Sequence, residues 1–292
     1  MAPLSPAAAA AALSDGKSTF VGKKNRLEAC EVVGRAFAGT ETTDPEQTVN
    51  WLLGPYLPIG EPDRIPLTTF FMSFAVAILA PSGFTLCAHS ADGAIQAVCL
   101  CSRMRRAPPE MSLVNMWRIL GMLMSHGPPA FYKKKDKKAL RKKIDPGLMK
   151  RANIVGKVMH KMHKTHANGK HIYVNLMAVE PTEQEKGLCS QLMSAVSRAA
   201  DIEGLPAYLE ASGDRNCAIY SHLGYEVVGT YSVGREGDDE NWAPFEKFYA
   251  MVRPPRAFLI TTRMTRITER LAGTFTTRPT SSAGSSPMSV KL

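Results

Sequence analysis

No Cys-x-x-Cys pair occurs among the six cysteines (Cys30, Cys87, Cys99, Cys101, Cys189, Cys217), which argues against a zinc site. They read as reduced, intracellular and mostly buried. No apolar run approaches the ~20 residues that a membrane span requires. The longest, Phe70 to Ala80, is interrupted by Ser73 and closed by Pro81. Despite its alanines (Ala7 to Ala12), the N-terminus lacks the charged start and apolar centre of a secretory signal. Residues 1–18 are therefore expected as a flexible tail, and the location as cytoplasmic, with organelle targeting the alternative.

The positive charge does not mark a nucleic-acid protein either. The net +10 is local: zero over 1–131, +8 over 132–151, −3 over 152–253 and +5 over 254–292. The basic run Lys133 to Lys143 has no interleaved aromatics. It reads as a solvated helix face, with an acidic partner as the less favoured alternative.

At 45% apolar residues the chain has ample material for a core. Thr19 to Val21 reads as a short strand and Leu27 to Phe37 as a helix, with a more buried helix over Thr68 to Ala80. Asp92-Gly93 sets a hairpin between Phe84–Ser90 and Ala94–Ser102. The span 103–170 has helical character and reads as a long insertion between strands. His171–Val179, Ala207–Ala211, Tyr225–Tyr231 and Phe245–Val252 follow as strands, with helices over Gly187–Ile202 and Asn216–His222. One domain over 19–253 is expected, followed by a basic Ser/Thr-rich tail, 254–292, disordered towards its end.

The chemistry concentrates where the strand ending at Val179 passes through Glu180-Pro-Thr-Glu-Gln184-Glu185-Lys186-Gly187 into an amphipathic helix bearing Leu188, Leu192, Ala195, Val196 and Ala199 on one face. A tight polar loop entering a helix N-terminus presents unpaired N–H groups at the positive end of a dipole. That is an anion site suited to a pyrophosphate, and a glycine at 187 lets the backbone approach it closely. His160, His163, His166 and His171 invite a metal reading, but only 160 and 163 share a helix face and no metal is expected.

Gln184-x-x-Gly187-x-Cys189 resembles the acetyl-CoA signature of the GNAT superfamily, Q/R-x-x-G-x-G/A, with cysteine in place of the last small residue. Glu210-Ala-Ser-Gly-Asp-Arg-Asn216 followed by Tyr220-Ser-His-Leu-Gly-Tyr225 is similar to that family's second signature. Among its members the chain looks most like puromycin N-acetyltransferase and its relatives, which also carry a long helical insertion. Strong resemblance covers about 171–231.

The resemblance implies an α/β fold, a mixed and mostly antiparallel split sheet of about seven strands with helices on both faces. It also implies direct acetyl transfer from acetyl-CoA, as co-substrate, to an amine of a small molecule. Met177, Ala178 and Val179 would meet the pantetheine arm, and Gln184, Glu185, Lys186, Gly187, Leu188, Cys189 and Ser190 the phosphates. Asn216 would contact the cofactor or cap its helix. Tyr220 would return a proton to the leaving thiolate, and Glu210 would accept or relay the proton of the incoming ammonium. The acidic loop Asp238-Asp239-Glu240 would attract a cationic acceptor. Acylation of a peptide or protein amine, or non-catalytic CoA binding, are the rival readings.

Overall fold

The computed structural model describes residues 3–41, 43, 46–79, 84–105, 147–234 and 245–256. The basic run 133–143, the acidic loop 235–242 and the tail from 257 lie outside the described residues.

Seven strands form one sheet: β1 (Ser18–Phe20), β2 (Thr85–His89), β3 (Ile95–Met104), β4 (His171–Val179), β5 (Ala207–Ser212), β6 (Glu226–Val233) and β7 (Phe245–Arg253), in the order β1-β2-β3-β4-β5-β7-β6. Every pairing is antiparallel except β4 with β5. This is the expected mixed, mostly antiparallel α/β sheet. Helices α1 (Pro6–Ala12) and α6 (Leu188–Glu203) cover one face. Helices α2 (Arg26–Ala38), α4 (Arg64–Leu79) and α5 (Leu148–His166) cover the other, with the short α3 (Gln47–Leu53) beside α5. Helix α7 (Gly213–His222) follows β5 directly.

The alternation of β4 slips at its centre. Ile172 and Val174 join the core under α6, whereas Leu176 and Ala178 join the core under α2. The slip is a β-bulge at Asn175: Leu100 pairs with Leu176 but Cys101 with Val174. One extra residue inverts the facing of everything after it, so Met177 and Val179 turn towards α6.

Two expectations are corrected here. Residues 3–18 are not a loose tail: α1 docks on α6 with Ala8 and Ala12 fully buried. Arg198 donates to the carbonyls of Ala11 and Ala12 and to Asp15, and the Ser5 N–H donates to Glu203. Seven residues would not hold a helix alone, so this packing is what forms it. Second, α7 begins at Gly213 rather than Asn216.

Helices α2 and α4 cross at Gly34, where a Cβ would lie 1.8 Å from Thr69 Oγ1 and 2.8 Å from Thr69 Cα. The backbone atom cannot rotate away. Gly34→Ala should therefore destabilise the fold by ~1–3 kcal/mol through overpacking, which a shift in the chemical denaturation midpoint at unchanged slope would measure. No shift would mean that the helices separate freely.

Candidate active site

Strands β4 and β5 pair only over Ile172–Val174 and Ala207–Leu209. Beyond that point β4 stays with β3 as far as Val179, and β5 stays with β7 as far as Ser212. The sheet thus splits in its middle, and Met177, Ala178 and Val179 border the split with no strand partner on the β5 side among the described residues. Backbone amides at such an edge can accept an extended ligand as a further strand. The end of β4 is fixed by the neighbouring residue: Arg35 on α2 donates to Glu180 from Nε to Oε1 at 2.9 Å and from Nη2 to Oε2 at 2.9 Å, with Nε also 3.1 Å from Oε2, and the Glu180 N–H donates to the Gln96 carbonyl.

From Glu180 the chain makes a single 3-10 turn, Pro181–Glu183, and enters α6. Gln184 is extended, while Glu185 and Gly187 both have positive φ, +65° and +81°. Gly187 caps α6 without any side-chain hydrogen bond to the first-turn N–H groups. Nothing lies within 4 Å of where a Cβ on Gly187 would be. Gly187 itself is exposed, and the N–H groups of Leu188, Cys189 and Ser190 that follow it stand at the positive end of the helix dipole, which fits an anion. The charged side chains lie to its sides: Lys186 meets Glu183 at 3.1 Å and Glu185 meets Arg215 at 3.5 Å. Leu188 and Cys189 lean on the core instead. Burial, and secondarily Cys99, pushes the Cys189 thiol up to about 12. A thiol so poorly ionised is no nucleophile at neutral pH.

Asn216 and Tyr220 stand one turn apart on α7. Asn216 is not the N-cap. Its amide donates to the Ser212 carbonyl at 3.0 Å, inside the first turn. Tyr220 packs on the α6-side core, its ring centroid 6.1 Å from that of Tyr225. Burial above all, then Cys189, Cys99, Tyr225 and Glu46, hold its phenol well above the usual tyrosine range. It therefore stays protonated at neutral pH.

Glu210 lies on the opposite face of β5. Its side chain is only 2% exposed. Tyr173 donates to Oε2 at 2.8 Å, while Oε1 is buried without a hydrogen-bond partner. Burial, partly offset by the hydrogen bond from Tyr173 and by the nearby Tyr208 hydroxyl, raises the carboxyl to about 7. Tyr220 and Glu210 thus flank the split from its two faces.

Two features escape a reading of the sequence. Glu46 accepts a hydrogen bond from the Ser212 hydroxyl and another from the Val49 N–H at 2.8 Å, so it both caps α3 and reaches the end of β5. It is the carboxylate whose charge is felt at Tyr220. The histidines pair differently from the helix-face expectation: His163 meets His171 at 2.8 Å, and His166 meets the Tyr231 hydroxyl at 2.7 Å.

Residues 122–225 match the model of the acetyltransferase (GNAT) family. An uncharacterized N-acetyltransferase of Schizosaccharomyces pombe is 34% identical over 83 residues, 28% of this chain and 31% of that protein. The match thus spans about a third of that relative's length. Two solved structures share the fold. The polyamine N-acetyltransferase of Drosophila melanogaster has a TM-score of 0.50 at 12% identity, covering 81% of this chain and 98% of that one. The C-terminal condensation domain of Ebony, in complex with β-alanyl-dopamine, has a TM-score of 0.53 at 9% identity, covering 82% and 98%. The seven-stranded, mostly antiparallel sheet with helices on both faces is thus a fold shared with these two structures.

Proposed function

We propose that the chain transfers acetyl from acetyl-CoA directly to an amine of a small molecule. The observation that carries this reading is the split between β4 and β5, which leaves one edge of β4 free directly upstream of an uncapped helix N-terminus. The pantetheine arm would run along Met177, Ala178 and Val179, and the pyrophosphate would rest on the N–H groups of residues 187–190. Gln184, Glu185 and Lys186 would form the wall of the phosphate loop, and Asn216 would border the cofactor from α7. The acceptor would enter from the side of α3 and α5, towards Glu46, Ser212 and Glu210.

The amine must lose a proton before it attacks the thioester carbonyl. Glu210, poised near neutrality by burial, is suited to take or relay it. A backbone N–H near Val179 would hold the oxyanion, and Tyr220 would protonate the departing thiolate. Two fold relatives, a polyamine acetyltransferase and a domain holding β-alanyl-dopamine, handle amines or amine-derived compounds, which supports a small acceptor. The length and helical pattern of the sequence over 103–170 support the narrower likeness to puromycin N-acetyltransferase.

The test is release of free thiol from acetyl-CoA against a panel of aromatic amines, polyamines and N-terminal peptides. Turnover with a small amine is expected to exceed that with any peptide. Preference for a peptide would reassign the acceptor, and no release with any amine would remove the activity.

A further inference from the structure

Beneath Glu210 lies a set of groups that acetyl transfer, as described so far, leaves unused. His171, the first residue of β4, faces the Gly169 carbonyl through Nδ1 at 2.8 Å. A carbonyl only accepts, so Nδ1 carries the proton. Burial lowers the His171 pKa and keeps the ring neutral, which leaves Nε2 as an acceptor. His163 on α5 approaches that nitrogen with its own Nε2 at 2.8 Å and must donate there. Its Nδ1 is then a bare lone pair, and Glu210 Oε1 lies 3.9 Å from it.

The orientation of every proton in this row is thus fixed from one end. The row is enclosed by rings: His163 stands 4.4 Å from Tyr173 and 4.8 Å from Tyr208, centroid to centroid. His163 and His171 are each 1% exposed, whereas Gly169 and its neighbours Asn168 and Lys170 form an exposed turn. Glu210 Oε1 is the one buried oxygen of the carboxyl that lacks a hydrogen-bond partner.

This deepens the proposed acetyl transfer and rests on it. That reaction, starting from an ammonium group, forms the C–N bond and breaks the C–S bond, and the electron pair leaves on sulfur. Two of the three ammonium protons depart. One ends on the thiol, and the other must reach solvent in every cycle. A carboxyl sealed from water that accepts a proton has to be emptied before the next turnover.

We infer that His163 and His171 are the exit for that proton, carrying it from Glu210 Oε1 to His163 Nδ1, from His163 Nε2 to His171 Nε2, and from His171 Nδ1, once its hydrogen bond to the Gly169 carbonyl opens, to water at the turn 168–170; reorientation of both rings then restores the donor–acceptor sense of the row for the next turnover. Both are relay residues, since neither borders the split. The 3.9 Å step is about 1 Å longer than a hydrogen bond and closes by rotation of the carboxyl or the imidazole. The titratable groups facing the row are Tyr173 and His171 from β4, Tyr208 from β5 and His160 along α5. His163 is held down to about 3 by burial, then by His171 and His160. It therefore passes a proton on rather than storing it.

The test compares wild type with His163→Gln, His171→Gln, the double variant and Glu210→Gln, using acetyl-CoA and the best amine of the panel. Each histidine variant is expected to lower kcat by about tenfold to a hundredfold, with both KM values unchanged and a larger solvent deuterium isotope effect on kcat. The double variant should lose no more than either single one, because a row fails at its first gap. Wild-type kcat and isotope effect in the histidine variants, with Glu210→Gln impaired, overturn the relay and leave Glu210 as base. Wild-type turnover in Glu210→Gln, or no acetyl transfer by the native protein, overturns the relay together with the reading beneath it. Should the variants not fold, nitrogen NMR of the native protein decides. Nδ1–H on His171 with Nε2–H on His163 is expected, and Nδ1–H on His163 overturns the row.

Discussion

Gly187→Glu abolishes acetyl-CoA binding while the protein stays folded. The position is open, with nothing within 4 Å of a new Cβ, so the substitution creates no clash. A side chain at φ +81° costs roughly 1–2 kcal/mol. A carboxylate at an uncapped helix N-terminus returns ~0.3–1 kcal/mol by meeting the free N–H groups and the dipole. The fold therefore loses less than ~2 kcal/mol, within the reserve of an ordinary domain. Binding loses far more. The carboxylate takes the donors that a pyrophosphate needs and sets like charge against it, a juxtaposition that costs several kcal/mol, or roughly 10² or more in Kd. Calorimetric titration of the variant beside its melting curve separates the two quantities. Unchanged affinity would remove residues 184–190 from the cofactor site. Gly187→Ala, which adds strain without charge, should lose much less.

The parts of the molecule that were legible in the sequence are those set by local pattern. Asp92-Gly93 fixed the hairpin because a tight turn needs positive φ, and Gly93 has φ +89°. The face Leu192, Ala195, Val196 and Ala199 is buried on α6 as its spacing requires. The loop into α6 was readable because polar residues, a glycine and then an amphipathic run follow one another without interruption.

What stayed hidden depends on contacts across the chain. No local feature marks Asn175 as a bulge: His171 to Val179 is plausible as an unbroken strand, and only pairing against β3 shows the slip that turns Met177 and Val179 towards α6. Glu46 meets Ser212 from 166 positions away. Its one local sign was an acidic residue ahead of an apolar run, which is an N-cap pattern and no more. His163 and His171 lie eight residues apart, with the end of α5 and a turn between them, and helical periodicity pairs His163 with His160 instead. Asn216 was assigned as the opening of α7 because asparagine favours caps. Ser212 and Gly213 take that place because β5 runs into the helix without a loop.

The reading of Tyr220 as the acid yields the second large effect. Tyr220→Phe removes one oxygen and leaves the ring, so packing against Tyr225 and the α6 core is retained and the fold should hold. Acetyl-CoA affinity should change little, since the phosphate cradle and the edge of β4 lie elsewhere on the split. The thiolate must then leave without a positioned proton, and kcat should fall by roughly 10² or more, about 2.7 kcal/mol of transition-state stabilisation. Burial keeps the phenol protonated above the ordinary tyrosine range, so in the native enzyme its ionisation should cause no loss of kcat between neutrality and about pH 10. An alkaline limb below that value would point to another donor. Wild-type turnover in the variant would leave Tyr220 a packing residue. In that case the proton would have to reach sulfur by water, and Glu46, whose charge is already felt at Tyr220, would be the group to replace next.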